Sequence, residues 1–250
     1  MSTNKDDYKN IQSLISKFKL IKEMGYVESV NNNSSGIGLT LEKLLGKKVD
    51  NFPLPDYKNI ELKAKLAYSK TPISLFRLTP FGKDFYELKR IVKKYGYYTK
   101  SSGNQKYLNG SVYANIKNKI GSYYYLLNIN KEKHILELYI YNSKMELIDS
   151  CTYWTFDNLE EALYRKLKIL AFVTTYSTTK KNKRYYKYYK ITIYKLKTFN
   201  DFLNAIENGK ISVCFSVDIY KNGEKKGLQH YHGVCFRIYE KDLLAIFNKQ

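Results

Sequence analysis

Seven residues constrain this chain more than any others. Ile60-Glu61-Leu62-Lys63-Ala64-Lys65-Leu66 alternate apolar and charged side chains without a break. Successive side chains of a strand point to opposite faces, so the run predicts a half-buried β-strand. Glu61 and Lys63 project from one face, and the aliphatic residues pack on the other. Just upstream, Pro55-Asp56 puts a carboxylate where the chain turns into that strand. Proline breaks regular structure and biases Leu54 to extended geometry. Further upstream, Thr40–Gly46 reads as a short helix, capped by Thr40 and ended by Gly46. Leu41, Leu44 and Leu45 face inward, and Glu42 lies off that stripe.

An acid at a strand entrance, followed by an acid and a lysine two apart on one strand face, suits phosphodiester cleavage. Asp56 and Glu61 form a hard oxygen site of the kind that takes Mg²⁺. Such an ion acidifies a bound water and offsets charge on phosphoryl oxygens. Lys63 positions the water or stabilises the developing charge, and Glu42 reaches the cluster from the helix. A Glu-x-Lys pair alone is usually a solvated face. Four such groups within about thirty residues are far more specific.

The pattern Gly36-x-Gly38-x-Thr40-Leu41-Glu42-x-Leu44-Leu45-Gly46, then Pro55-Asp56, then Glu61-Leu62-Lys63, resembles the MvaI/BcnI group of type II restriction endonucleases. That group lies in the PD-(D/E)xK superfamily and is related to the nicking enzyme MutH. The resemblance implies catalytic roles for Asp56, Glu61 and Lys63, with Glu42 as a helix-borne acid. Metal ligation falls on Asp56 and Glu61. It also implies a monomer that cuts one strand at a time within a short, GC-rich site in double-stranded DNA. A cognate methyltransferase protects host DNA as a functional partner.

Charge agrees with that reading but carries little weight alone. The 250-residue chain has a formal net charge of +20 and a pI near 9.5, which favours a polyanionic partner. Yet only five of the 43 basic residues are arginine, a bias that an AT-rich genome produces whatever the function. There is no long apolar run, so no membrane span is expected. The N-terminus lacks an apolar signal region. Cys151, Cys214 and Cys235 have neither disulfide nor zinc spacing, and reduced thiols in the cytoplasm are expected.

Along the rest of the chain, residues 8–24 show helical spacing, and Asn31–Gly36 reads as a polar loop. Ser74–Thr79 reads as a strand beside the catalytic one, with Arg77 a candidate DNA contact. Residues 82–95 read as a helix with Phe85, Leu88, Val92 and Tyr95 on its stripe; Lys89, Arg90, Lys93 and Lys94 form a solvated face. Tyr97–Ser111 reads as a loop. Tyr123–Ile129, Ile135–Tyr141 and Leu147–Thr155 form a β-meander, with Trp154 in the core. Asp157 caps the next helix, and Ile169–Tyr176 is a buried strand. In Thr178–Lys190, bases interleave with tyrosines, so Lys183 and Arg184 are candidates for phosphate contact. Thr198–Asn208 is a helix ended by Gly209, Ile211–Tyr220 a strand, and Asn222-Gly223 a tight turn.

The stretch Gly227–Ile238 holds His230-x-His232. Two histidines on one strand face suit a metal, but no third ligand stands near them in sequence, so zinc is not expected. The MvaI/BcnI group has a similar His-x-His-Gly-x-x-Phe-Arg-Ile segment in its recognition lobe. That resemblance makes His230, His232 and Arg237 candidates to reach base edges, where arginine reads guanine. The group's pattern has an acid between the histidines and a small hydroxyl residue after the glycine. Tyr231 and Val234 stand there, and no base accompanies Ser216, so the target sequence is not legible.

The expected fold is α/β: a mixed β-sheet with flanking helices, a PD-(D/E)xK core, and two lobes around a DNA cleft. Residues 1–150 are assigned to a catalytic lobe and 151–250 to a DNA-recognition lobe, with interleaving allowed. The expected function is Mg²⁺-dependent, site-specific cleavage of double-stranded DNA. The alternatives are a MutH-like nicking enzyme of repair and a basic DNA-binding protein without catalysis.

Overall fold

The computed structural model describes residues 4–47, 54–83, 86–99, 105–220, 223–224 and 228–250. In chain order the elements are α1 (Asn4–Glu23), β1 (Tyr26–Glu28), α2 (Gly36–Leu44), β2 (Glu61–Leu66), β3 (Ile73–Arg77), α3 (Glu87–Tyr95) and β4 (Leu108–Val112). There follow β5 (Asn118–Ile120), β6 (Tyr123–Asn130), β7 (Ile135–Tyr141), β8 (Leu147–Thr155), α4 (Phe156–Leu167), β9 (Ile169–Lys180) and β10 (Lys183–Leu196). The chain ends with α5 (Phe199–Glu207), β11 (Ile211–Ile219), β12 (Gln229–Ile238), a 3₁₀ turn (Glu240–Ala245) and β13 (Phe247–Lys249). This is the mixed α/β class expected. Two compact units result: residues 1–71, 163–197 and 247–250 make the first, and residues 72–162 and 198–246 the second. Each unit draws on sequence from both sides of residue 150.

In the first unit the sheet order is β1-β10-β9-β2, with β13 also on β10. β2 runs parallel to β9, with Glu61 opposite Leu170 and Lys63 opposite Phe172. The aliphatic face of β2 does what its alternation demands. Leu62 packs with Leu14 and Phe18 of α1, Leu41 of α2, and Ala171 and Val173 of β9. β9 and β10 join through Lys181 and Asn182, at φ 47° and 61°. Two left-handed residues in a two-residue loop match the twist of the flanking strands.

In the second unit β3-β12-β11-β4 form one antiparallel sheet and β5-β6-β7-β8 another, the latter containing the expected meander. Trp154 is fully buried, edge-on to Phe236 at 5.8 Å, and its indole N–H donates to the Leu78 carbonyl. Thr198 and Asp201 cap α5 reciprocally, satisfying two orphan amides at its start.

Several local expectations need correction. Ser74–Thr79 does not flank β2: β3 pairs with β12, and β2 pairs with β9. Between β2 and β3 the chain passes from the first unit to the second, at Thr71–Pro72. Thr40 does not cap α2. It is buried four residues inside the helix, and its hydroxyl accepts from the Val30 amide at 3.1 Å. Thr155, not Asp157, accepts from the Asn158 amide at the start of α4. Tyr97–Ser111 is not all loop, because β4 begins at Leu108 and pairs with β11. Gly110 weakens the strand signal there, yet the Ile120 side chain needs its bare Cα: a Cβ would stand 2.5 Å from Ile120 Cδ1. Arg90 does not belong to a solvated face. Phe85, Asn222 and Gly227 lie outside the described residues. All three cysteines are free thiols. Among the described residues no helix is long and apolar enough to cross a membrane.

Candidate active site

The turn before β2 sets the position of Asp56. Tyr57 and Ile60 exchange backbone hydrogen bonds of 2.9 and 2.8 Å, with Lys58 left-handed at φ 53°. Asn59 ties this turn to α1, donating to Asp7 at 2.6 Å and accepting from Asn10 at 2.8 Å. Asp56 Oδ2 then accepts from the Leu62 amide at 3.1 Å, which fixes the carboxylate beside the strand.

Glu61 is 1% exposed, yet it stands among charges. Its Oε1 accepts from Lys63 Nζ, and its Oε2 lies 3.1 Å from Lys166 Nζ. That second approach has the distance but not the geometry of a hydrogen bond, so Oε2 is a buried oxygen with no hydrogen-bond partner. Burial pushes the Glu61 carboxyl above the usual range; Lys63 and Lys166 pull it down, and Asp56 pushes it further up. Glu42 is raised for the same reasons, burial first and then Asp56.

Lys47 stands between two acids. Its Nζ is 3.1 Å from Asp56 Oδ1 and 3.9 Å from Glu42 Oε2. The end of α2 puts it there. Gly46 takes φ 83°, its amide bonds to the Lys43 carbonyl, and the Lys47 amide bonds to the Glu42 carbonyl. This Schellman turn sends the Lys47 chain back past the helix end. Gly46→Ala is expected to destabilise the protein by about 1 kcal/mol through backbone strain alone, since nothing lies within 4 Å of the added Cβ. A thermal melt reads the shift.

Asp56, Glu61, Lys63 and Glu42 therefore meet in the first unit, joined by two lysines that sequence reasoning missed. Lys47 had a signal, its place just past a helix-ending glycine. Lys166, in the last turn of α4, had none, because its contact with Glu61 exists only through the β2–β9 pairing. Its Nζ also donates to the Leu54 carbonyl at 2.9 Å. The site holds three carboxylates against three ammonium groups. Two acids with raised pKa, one of them with a buried oxygen that makes no hydrogen bond, are what a hard divalent cation would satisfy, so the residues fit one.

In the second unit, register gathers the other candidates. Arg77 lies opposite Cys235, Arg237 opposite Ser212, and His230 opposite Asp218. Alternate residues of β11 from Ser212 to Asp218 share a face, so Arg77, Arg237 and His230 stand on that same face. A bulge on β12, with Gly233 at φ 85°, brings His232 to Asp218 as well. Arg237 Nε is buried without a hydrogen-bond partner. Asp218 also overturns the expectation that no third ligand accompanies the histidines: it comes from across the strand pair.

Lys183 and Arg184 sit in the first unit, beside the β9–β10 turn. Lys183 Nζ pairs with Glu28 at 2.8 Å on the surface. Asn32, in the Asn31–Gly36 loop, accepts from the Arg184 amide and donates to the Asn182 carbonyl.

The profile of the MvaI/BcnI restriction endonuclease family matches residues 15–247. No curated protein sequence matches the chain. Among solved structures, restriction endonuclease MvaI in complex with its cognate DNA substrate superposes with a TM-score of 0.90 at 28% identity, covering 100% of this chain and 99% of that one. MvaI in the absence of DNA superposes with a TM-score of 0.62 at 27% identity, covering 100% and 98%.

Proposed function

Because the chain belongs to the MvaI/BcnI restriction endonuclease family, and is a type II restriction endonuclease acting on DNA, we propose that Asp56, Glu61 and Lys63 are its phosphodiester-cleaving residues. One observation carries the assignment. The Glu61 carboxylate is buried with an oxygen lacking a hydrogen bond, beside Asp56 and between two lysines. Asp56 and Glu61 would hold a divalent metal, and their all-oxygen donor set supports Mg²⁺. When bound, that ion supplies Lewis acidity and an acidified water. Lys63 orients the attacking water and stabilises charge on the phosphoryl oxygens. Lys47 and Lys166 balance the acids while no cation is present. Glu42 is an accessory acid that acts through Lys47.

The polar face of β3, β12 and β11 reads base edges through Arg77, Arg237, His230 and His232. Lys183 and Arg184 contact phosphates and fix register. The first unit is then the catalytic part and the second the recognition part. The substrate is double-stranded DNA with a short target, cut by a monomer one strand at a time. The protein works in the cytoplasm, with a methyltransferase protecting host DNA.

Digestion of unmethylated plasmid and phage DNAs tests this. Discrete fragments are expected with Mg²⁺, none with a chelator, and none from Lys63→Ala. Unchanged DNA throughout, with binding indifferent to metal, would leave a DNA-binding protein without catalysis.

A further inference from the structure

We propose that Asp218, His230 and His232 form a second metal site, specific for a divalent transition ion such as Zn²⁺. One ligand atom from each lies within 4.8 Å of the others. His232 Nε2 is 3.3 Å from Asp218 Oδ1, and His230 Nδ1 is 3.7 Å from the same oxygen. A tetrahedral centre with metal–ligand bonds of ~2.0–2.1 Å spaces its ligands about 3.3 Å apart. The group therefore needs little movement to close on an ion.

Donor chemistry sets the ion. Two imidazoles and one carboxylate suit zinc, nickel or copper, whereas the all-oxygen acids of the first unit suit magnesium. The two sites thus sort ions by class. The ligands are held before any ion arrives. Asp218 and His230 face each other across paired strands, and the Tyr220 ring stacks on His230 with centroids 4.0 Å apart. The bulge at Gly233 turns His232 toward the same oxygen. Three protein ligands leave a fourth position open, and the side chains remain about one-third exposed, so the position faces solvent. On the proposed reading of this face, a bound ion occupies the imidazole nitrogens that would otherwise reach base edges. Zinc then opposes DNA recognition without touching the catalytic acids.

Calorimetric titration of ZnCl₂ into metal-stripped protein, in excess Mg²⁺ to fill the oxygen site, tests the proposal. One Zn²⁺ per chain is expected. Asp218→Asn and His232→Ala should each weaken binding by at least the ~10–100-fold that outer-shell changes alone cost. Glu61→Gln and Cys235→Ser should keep it. Equal zinc uptake by the native protein and Asp218→Asn would overturn the site, as would loss of uptake in Glu61→Gln or Cys235→Ser instead. The readout is zinc uptake, not cleavage. A protein that takes up zinc at Asp218 yet cuts no DNA keeps this site and loses the nuclease assignment.

Discussion

Glu61→Gln is expected to leave a folded protein that cleaves DNA at least about a thousandfold more slowly. The metal is asked for several kcal/mol of transition-state charge stabilisation, and each 1.36 kcal/mol is tenfold in rate. The amide keeps the size of the carboxylate but loses its charge and one donor oxygen, so it holds a hard cation far more weakly. Stability should move the other way. The Glu61 carboxyl is raised by burial, so the folded protein binds its proton more tightly than the unfolded chain does. Stability from this group is therefore present at low pH and lost as pH rises from the ordinary glutamate range through the raised folded value. Metal-free Glu61→Gln, which has no such proton to lose, should equal the native protein in acid and exceed it at neutral pH. Mg²⁺ should then stabilise the native protein and not the variant, since only the native fold binds it. Thermal melts of both proteins across pH, with and without Mg²⁺, read all three effects. A variant that cuts at the native rate, or that Mg²⁺ stabilises as much as it does the native protein, would remove Glu61 from the site.

The strand Glu61–Leu66, which carries the proposed catalytic pair, was legible because its polar residues and its period coincide within seven residues. Alternation fixed which side chains pack, and the same alternation put Glu61 and Lys63 on the opposite face. The Tyr123–Thr155 meander was legible for the same reason, being local and period-two. What lay beside β2 was not. A parallel neighbour needs a long crossover, and no local signal distinguishes β9 from β3 as the partner. Lys166 was hidden by that same distance. Asp218 was hidden by register, since a residue opposite His230 is found only once β11 and β12 are paired. Thr40 was misread because a hydroxyl before a leucine stripe suits a cap as well as a tether to Val30. β4 was missed because Asn109-Gly110-Ser111 reads as a turn, whereas pairing with β11 and packing of Ile120 over Gly110 overrule that propensity.

Arg90→Ala is expected to cost about 3–5 kcal/mol, the range for breaking a buried ion pair by removing one partner. Helical spacing put this residue with Lys89, Lys93 and Lys94 on a water-facing surface, and in sequence nothing separates it from them. In the fold its guanidinium is spread over two buried acids. Nε donates to both Glu87 oxygens at 3.0 and 2.9 Å, and Nη1 donates to Asp149 Oδ2 at 2.7 Å. Glu87 is 1% exposed and Asp149 7%. Burial alone would push Asp149 up, but donors from Arg90, Tyr95 and the Cys151 amide outweigh it and hold the carboxyl far below the usual aspartate range. A depressed carboxylate contributes stability above its unfolded pKa, and that stability is lost as pH falls through the folded value. Without Arg90 the Asp149 pKa rises and this contribution shrinks. The difference between native protein and variant should accordingly be widest near neutrality and narrow in acid, where a protonated Asp149 no longer needs the guanidinium. Lys93→Ala, on the exposed part of the same helix, should change stability by no more than about 0.5 kcal/mol. Denaturant unfolding at several pH values separates the two. An Arg90→Ala variant as stable as Lys93→Ala would remove the guanidinium from the support of the two buried acids and return Arg90 to the solvated face.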